Sequence, residues 1–471
     1  MTRVAVNSPP AARGVGAQSR RALVDSVRRN KVAFPPQEVM NMKRQSRSRS
    51  SRSAPSRGGD WRSEADSRIE RLRKGDLVVE VRGHDGAPLK EARIEYRLKR
   101  HSFLFGTAIA HAPFGHTGDD GRHYRQFILD HFSALVCENE MKWYATEVER
   151  GREDYAPADA LLAFADQNGL AMRGHCLFWE QEEWVQPWLQ ALEQSELRAV
   201  MERRLSAIVS RYAGRLVAWD VNNEVLDGTF YRQQIGPDAT AWMFREAARL
   251  DPKTPLFVNE FAILGEREKT ERYLDLIRDL RARGAQVGGI GIQSHDCDRL
   301  AVDGRTVLAP GERPYWLLRA PLTPEAFLAT LDRLHAETGL PIHLTEVSAK
   351  FPDATRRADL LEMLFRLGFS HEAVQAIMLW GFGAKTHWMG PDAALMNADG
   401  TLNPAGSRIS HLLREEWSTR GSGVTGADGC LAFSGFYGSY ALGVRALGRR
   451  EIVQEVRLTK SAPTAAVQLT K

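Results

Sequence analysis

The sequence predicts a (β/α)8 barrel carrying a small β-sandwich assembled from its N- and C-terminal flanks. Three observations predict it. Between about residues 103 and 417, eight short apolar runs alternate with amphipathic stretches of helical length, the rhythm of strands that each lead into a helix. Nearly every run ends on a carboxylate, amide, imidazole or indole, which places polar chemistry on one rim of a barrel. Both flanks alternate apolar and polar residues between Gly/Asp turns, the period of half-buried strands. No GxGxxG follows the first run, which weakens the alternative of an open, doubly wound dinucleotide-binding sheet.

The predicted strands lie near 104–109, 133–137, 171–176, 216–222, 255–259, 287–293, 341–345 and 375–381. Helices are predicted over "APADALLAFADQNG", "ELRAVMERRLSAIVSRYAG", "DATAWMFREAARLD" and "TPEAFLATLDRLHAETG". The last starts at Thr323, a capping residue type, and stops at Gly339. In a barrel the active-site face is built by residues at the C-terminal strand ends. Glu138, Asn139 and Lys142 follow strand two, His175 ends strand three with Trp179 beyond it, and Asn222, Asn223 and Glu224 follow strand four. Asn259 and Glu260 follow five, Gln293 and His295 six, Glu346 seven, and Trp380 lies in eight.

The flanks, "DLVVEVRGHDGAPLKEARIEYRL" (76–98) and "GVTGADGCLAFSGFYGSYALGVRAL" (423–447), are each too small to stand alone as a sheet. One sandwich built from both is expected, resembling a transthyretin-like fold split by the barrel; two separate edge hairpins are the alternative. The expected organisation is a basic tail over 1–60, a helix and first sandwich half over 61–102, the barrel over 103–418 and the second half over 419–471.

Charge is unevenly spread. Residues 1–60 hold 13 Lys/Arg against 3 Asp/Glu, so a chain of net charge +5 carries −5 outside its tail. The Arg/Ser-rich "KRQSRSRSSRSAPSR" (43–57) lacks the large apolar residues needed to fold, so disorder is expected there, with polyanion binding as the sharper reading. Its basic residues have no aromatic interleaving, which argues against a nucleic-acid partner. No run approaches the roughly 18 to 20 apolar residues of a membrane span, and no signal-peptide h-region is visible, so no membrane association is expected. Cys137, Cys176, Cys297 and Cys430 form no CxxC pair and the 13 histidines no HExxH, so neither a zinc site nor a disulfide framework is indicated and buried free thiols are expected.

Glu224 and Glu346 would face each other across the barrel mouth. Retaining glycoside hydrolysis requires such a pair: one carboxylic acid protonates the leaving oxygen while the other carboxylate, about 5 to 5.5 Å away, attacks the anomeric carbon. Asn223, beside Glu224, is placed to bond a sugar 2-hydroxyl, and His295 to bond and ionise Glu346. Trp179, Trp380 and Trp388 offer flat faces to pyranose rings. Core packing explains each tryptophan about as well when it is taken alone.

Seven motifs carry a family resemblance: "ENEMKWYATE" (138–147), "RGHCLFWE" (173–180), "WDVNNEVL" (219–226), "LFVNEF" (256–261), "GIGIQSH" (289–295), "LTEVS" (344–348) and "IMLWGF" (377–382). In this order the chain resembles glycoside hydrolase family 10, the retaining endo-β-1,4-xylanases, and especially its plant-type branch, over roughly residues 76–460. The resemblance implies Glu224 as general acid/base and Glu346 as nucleophile. It implies Glu138, Asn139, Lys142, His175, Asn223 and Gln293 as sugar-binding residues, His295 as support for the nucleophile, and Trp380 as the floor. No metal or organic cofactor is implied. Two positions depart from many family members, Glu180 where a histidine is common and Ala384 where bacterial members often carry Asp.

The expected function is therefore endo-acting hydrolysis of xylan or xylo-oligosaccharides by a monomer. A related β-glycanase or transglycosylase using the same two glutamates is the alternative within enzymes, and a non-catalytic carbohydrate-binding protein the alternative outside them. An extracellular location suits the function, although no export signal is visible.

Overall fold

The eight apolar runs form a closed parallel barrel. The computed structural model describes residues 60–295, 300 and 322–469. The basic tail up to residue 59 and Cys297 lie outside the described residues. Barrel strands are β1 (Leu104–Ile109), β2 (Ala134–Cys137), β3 (Ala171–Gly174), β4 (Ala218–Asn223), β5 (Leu256–Glu260), β6 (Gly289–Ile292), β7 (Ile342–Val347) and β8 (Val374–Leu379). Neighbours pair in parallel from β3 through β2, β1, β8, β7, β6 and β5 to β4, and the β3–β4 pair of Arg173 with Ala218 and Gly174 with Trp219 closes the ring. Closure removes the edges that an open sheet would expose.

Strand ends differ from the sequence reading at several site residues: Asn223, Glu260 and Glu346 still lie within their strands, whereas His175 and Trp380 lie beyond theirs. His175 lies just past β3, because residues 175–177 leave the ladder before a two-residue strand, Phe178–Trp179, rejoins β4 at Asn222 and Asn223. Trp380 lies just past β8: its N–H still donates to Val347 O at 2.9 Å, but Gly381, at φ 103°, turns the chain away.

Helices fall where the apolar periodicity puts them. The helix Pro324–Thr338 starts with the Thr323 hydroxyl accepting from Ala326 N and ends at Gly339 in the left-handed region, φ 69°, where a side chain is disfavoured. Among the described residues no helix is long and apolar enough to cross a membrane.

Both flanks join in one sandwich. One sheet sets Lys74–Gly83 between Cys430–Phe436, antiparallel, and Thr464–Leu469, parallel. The other runs Arg420–Val424, Arg93–His101, Gly438–Arg445 and Ile452–Leu458, all antiparallel. Alternate residues of both flanks, including Leu77, Val79, Ile94, Phe433, Leu442 and Leu458, fill the space between, and Tyr96 stacks on Phe433 with centroids 3.8 Å apart.

The helix Trp61–Arg73 is fastened to the helix Ala354–Ser370 by charge. Glu362 is 2 % exposed and receives Arg366 Nε at 2.8 Å together with Arg62 and Arg408. Arg366 also reaches Asp66 at 2.7 Å and Glu416 at 2.6 Å. Removing one member of a buried pair strands the others, although the partial exposure of Arg62 and Arg408 moderates the cost. Glu362→Ala is expected to destabilise the protein by about 2–3 kcal/mol, read as a lowered thermal midpoint.

Candidate active site

Two carboxylates rise from opposite sides of the barrel mouth, Glu224 just after β4 and Glu346 within β7 near its end. Glu224 has φ 58° and its N–H donates to Asn259 O at 3.0 Å. Its carboxyl is oriented by three donors. Trp179 Nε1 lies 2.9 Å and Gln181 Nε2 3.4 Å from Oε2, and Gln293 Nε2 lies 3.0 Å from Oε1.

Glu346 is 5 % exposed, and Asn259 Nδ2 donates to its Oε1 at 2.7 Å. His295 Nε2 lies 3.2 Å from Oε2, and His175 Nε2 3.9 Å from Oε1. Burial pushes this carboxyl up, but His175, the His295 hydrogen bond and the Lys142 ammonium outweigh burial and hold it below the usual carboxylate range. An ionised, desolvated carboxylate is a competent nucleophile.

Amides link the two acids. Asn259 Nδ2 also lies 2.8 Å from Asn223 Oδ1, which Gln293 Nε2 approaches at 3.5 Å. Thr345 Oγ1 donates to Asn259 Oδ1 at 2.6 Å and so fixes the orientation of the amide. The chain Glu224–Gln293–Asn223–Asn259–Glu346 makes the rim one connected set.

Beneath it the barrel interior is ionic. Asp220 accepts from Arg173 Nε at 3.1 Å and meets His175 Nδ1 at 2.9 Å, while Arg173 Nη1 lies 2.8 Å from His343 Nδ1. All four are buried. Burial disfavours the Asp220 carboxylate, yet Arg173 and His175 hold it below its ordinary range; burial and Arg173 push His343 well down, leaving it neutral. Asp220 thereby sets the ring of His175 under the mouth.

Most of the remaining predicted residues occupy the same face, but Asn222 turns to the surrounding helices, its Nδ2 donating to Thr240 Oγ1 at 3.1 Å, and Glu260 turns to the Leu226 N–H. Lys142 Nζ sits 4.6 Å from the Trp179 ring and 5.7 Å from Trp380, with Asn139 Oδ1 at 3.5 Å. Tyr144 OH donates to Asn139 Oδ1 at 2.6 Å. Glu138 follows β2 beside Asn139 and is half-buried. Trp380 meets His175 edge-on at 4.9 Å, and Trp179 stacks on Trp184 at 4.7 Å. Trp388 is 47 % exposed, its Nε1 lying 3.3 Å from Ser348 Oγ, which His295 Nδ1 also approaches at 3.2 Å.

Glu180 is wholly buried. It accepts from Tyr231 N at 2.9 Å and Arg232 Nε at 3.1 Å, and its backbone lies so close to Gly228 that a Cβ there would come within 2.4 Å. Glu180 thus braces the end of the short strand Phe178–Trp179 against the helix Phe230–Ile235. Sequence reasoning placed Asn259 on the rim without giving it a role, and missed Asp220, Gln181, Tyr144 and Ser348. Asp220 left the clearest signal, a charge in mid-strand of "AWDVNN", which must find a partner once buried.

Cys137 and Cys176 are buried free thiols, and Cys430 is a partly exposed one. Among the described residues no group of three or more His, Cys, Asp or Glu could hold a metal ion.

Comparison with known proteins agrees with this architecture. The family model described as Glycosyl hydrolase family 10 matches residues 95–411. Anti-sigma-I factor RsgI6 of Acetivibrio thermocellus is 36 % identical over 410 residues, 87 % of this chain and 50 % of that protein. Endo-1,4-beta-xylanase 1 of Arabidopsis thaliana is 34 % identical over 378 residues, 80 % of this chain and 37 % of that protein. The chain thus spans half or less of the length of these curated relatives. Xylanase 10B from Thermotoga petrophila, solved in complex with xylobiose, superposes with a TM-score of 0.57 at 25 % identity, covering 67 % of this chain and 95 % of that one. With a family match over two thirds of its length and a closed barrel whose rim carries the paired glutamates, the chain belongs to glycosyl hydrolase family 10.

Proposed function

We propose that this chain is a retaining endo-β-1,4-xylanase, with Glu346 as nucleophile and Glu224 as general acid/base. The observation that carries the reading is the asymmetry of the two carboxyls. Glu346 is buried among His175, His295 and Lys142, which favour its ionised form, whereas Glu224 stands partly open at the mouth. Glu346 attacks the anomeric carbon as Glu224 gives its proton to the departing glycosidic oxygen, leaving a glycosyl ester on Glu346. Glu224, now a carboxylate, takes a proton from water, whose oxygen displaces the ester and restores the original anomeric configuration. Asn223 is placed for the 2-hydroxyl of the reacting sugar, and Glu138, Asn139, Lys142, His175 and Gln293 for further sugar contacts. Trp380 forms the floor, and Trp388 is exposed enough to stack on an incoming ring. One chain supplies every residue named, so a monomer suffices.

Reducing-sugar release from glucuronoxylan, arabinoxylan, mixed-linkage glucan and carboxymethylcellulose, with Glu346→Ala as blank, tests the reading. Release from the xylans alone, absent in the variant, supports it; release from the glucans alone sinks it. A relative named as an anti-sigma factor motivates a second reading, a carbohydrate-sensing module. Binding of xylo-oligosaccharides without turnover would favour that one.

His295→Ala provides a further check. Glu346 must be ionised to attack, so the acid limb of kcat/KM follows its protonation. Loss of the His295 hydrogen bond removes a cause that lowers it, and the acid limb is expected to move to higher pH. An unmoved limb in the pH profile would contradict that role.

A further inference from the structure

The turn that carries Glu224 is held by groups the reaction does not use. Arg232 Nη2 reaches Val225 O at 2.6 Å and also Gly228 O, Arg272 reaches Leu226 O, and Lys269 pairs with Asp227. From the protein side, Glu260 Oε1 accepts the Leu226 N–H at 2.9 Å. Glu260 ends β5 one residue after Asn259 and is 0 % exposed. Its other oxygen, Oε2, is buried without a hydrogen-bond partner. A carboxylate with a bare oxygen is costly in such a place, whereas a protonated carboxyl leaves no net charge to solvate.

We propose that Glu260 is a positioning residue for Glu224, a neutral carboxylic acid locked beneath the turn that fixes where the acid/base points and adds no charge beside it. The proposal rests on the assignment of Glu224 as acid/base. Burial, with Glu224 and Asp227 adding to it, pushes Glu260 up to about 8 against the pull of Lys269 and the Leu226 N–H. Lys269 and Tyr273 face it from the helix Arg267–Ala282, and Glu224 and Asp227 from the turn after β4. Tyr273 OH is already committed to Val258 O and Gly291 O, at 3.0 and 2.9 Å.

Two variants of the full chain separate positioning from mere packing. Glu260→Leu fills similar space without an acceptor, and Glu260→Gln retains a neutral acceptor. On a xylo-oligosaccharide, whose leaving sugar needs a proton, Glu260→Leu is expected to lose about 10- to 100-fold in kcat/KM. On an aryl xylobioside with a good leaving group it should lose no more than about threefold, and Glu260→Gln should stay within that range on both substrates. Equal losses on both substrates, no loss on either, or a Gln variant as impaired as the Leu variant overturns the proposal.

The neutral state has its own readout. A carboxyl raised in the folded chain keeps a proton that the unfolded chain releases, so the wild type loses stability as pH rises from its unfolded value towards about 8. The thermal midpoint of Glu260→Gln should therefore rise relative to the wild type between pH 5 and 8 and level off above. Parallel midpoints across that range overturn the neutral carboxyl, even if Glu260→Leu fails to fold. Glu224→Ala serves as the reference: if it shows no leaving-group split, the assignment beneath the proposal falls and takes the proposal with it. A split in Glu224→Ala without one in Glu260→Leu overturns the proposal alone.

Discussion

Glu346→Ala is expected to abolish turnover, with a loss on the order of 10^4-fold or more, while the protein still folds and binds oligosaccharide. The methyl group cannot form the glycosyl ester, and the carboxylate that faces His175, His295 and Lys142 is gone. Loss of that buried anion removes a charge partner of the Lys142 ammonium and the acceptor of Asn259 Nδ2, so some stability is also expected to be lost. Circular dichroism and oligosaccharide binding by calorimetry separate a dead but folded variant from an unfolded one. Residual release of reducing sugar above a hundredth of the wild-type rate would exclude Glu346 as nucleophile.

Glu224→Ala is expected to divide its effect by leaving group. General acid assistance contributes roughly 10²- to 10⁴-fold, and xylan, whose leaving alkoxide is strongly basic, needs all of it. A dinitrophenyl xylobioside leaves without a proton, so its kcat/KM should fall by no more than about tenfold. Its kcat should fall further, with KM falling alongside, because the second step still needs a base and the glycosyl ester accumulates. A burst of dinitrophenolate equal to the enzyme concentration would report that ester directly. Equal losses on both substrates would reverse or dissolve the assigned roles.

Fold and rim were legible for one reason. Each barrel strand is a short, buried apolar run, and the polar residue that ends it breaks the pattern at the place where a barrel puts chemistry. Glu224, His295 and Glu346 could be placed on the rim from spacing alone, and the ordered motifs supplied roles. Partners were harder to read. Glu180 and Glu260 both sit where a rim residue could sit, yet their carboxyls turn outward to Arg232 and to Leu226 N, contacts between separate strand–helix units. Sequence period tells which face a residue takes and not what waits there.

The sandwich shows the same limit. Its alternation was plain, but the parallel pairing of Lys74–Gly83 with Thr464–Leu469 joins segments nearly at opposite ends of the chain, which no local turn signal announces. Strand ends were misread by a residue or more at His175 and Trp380, because both follow points where the ladder breaks and the chain turns outward.

The two-flank sandwich also dictates an order of events during synthesis. The strand Arg93–His101 leaves the ribosome roughly 320 residues before its partner strands begin at Arg420. At translation rates of about 5–20 residues per second, that is a wait on the order of tens of seconds. Throughout it, Leu77, Val79, Val81 and Ile94 have only each other to close against, without Phe433, Leu442, Leu458 or Val467, and the edges of their strands stay open to other chains. The barrel must therefore form beside an unfinished neighbour, and a chain cut short before Arg420 would carry that unfinished edge for its lifetime.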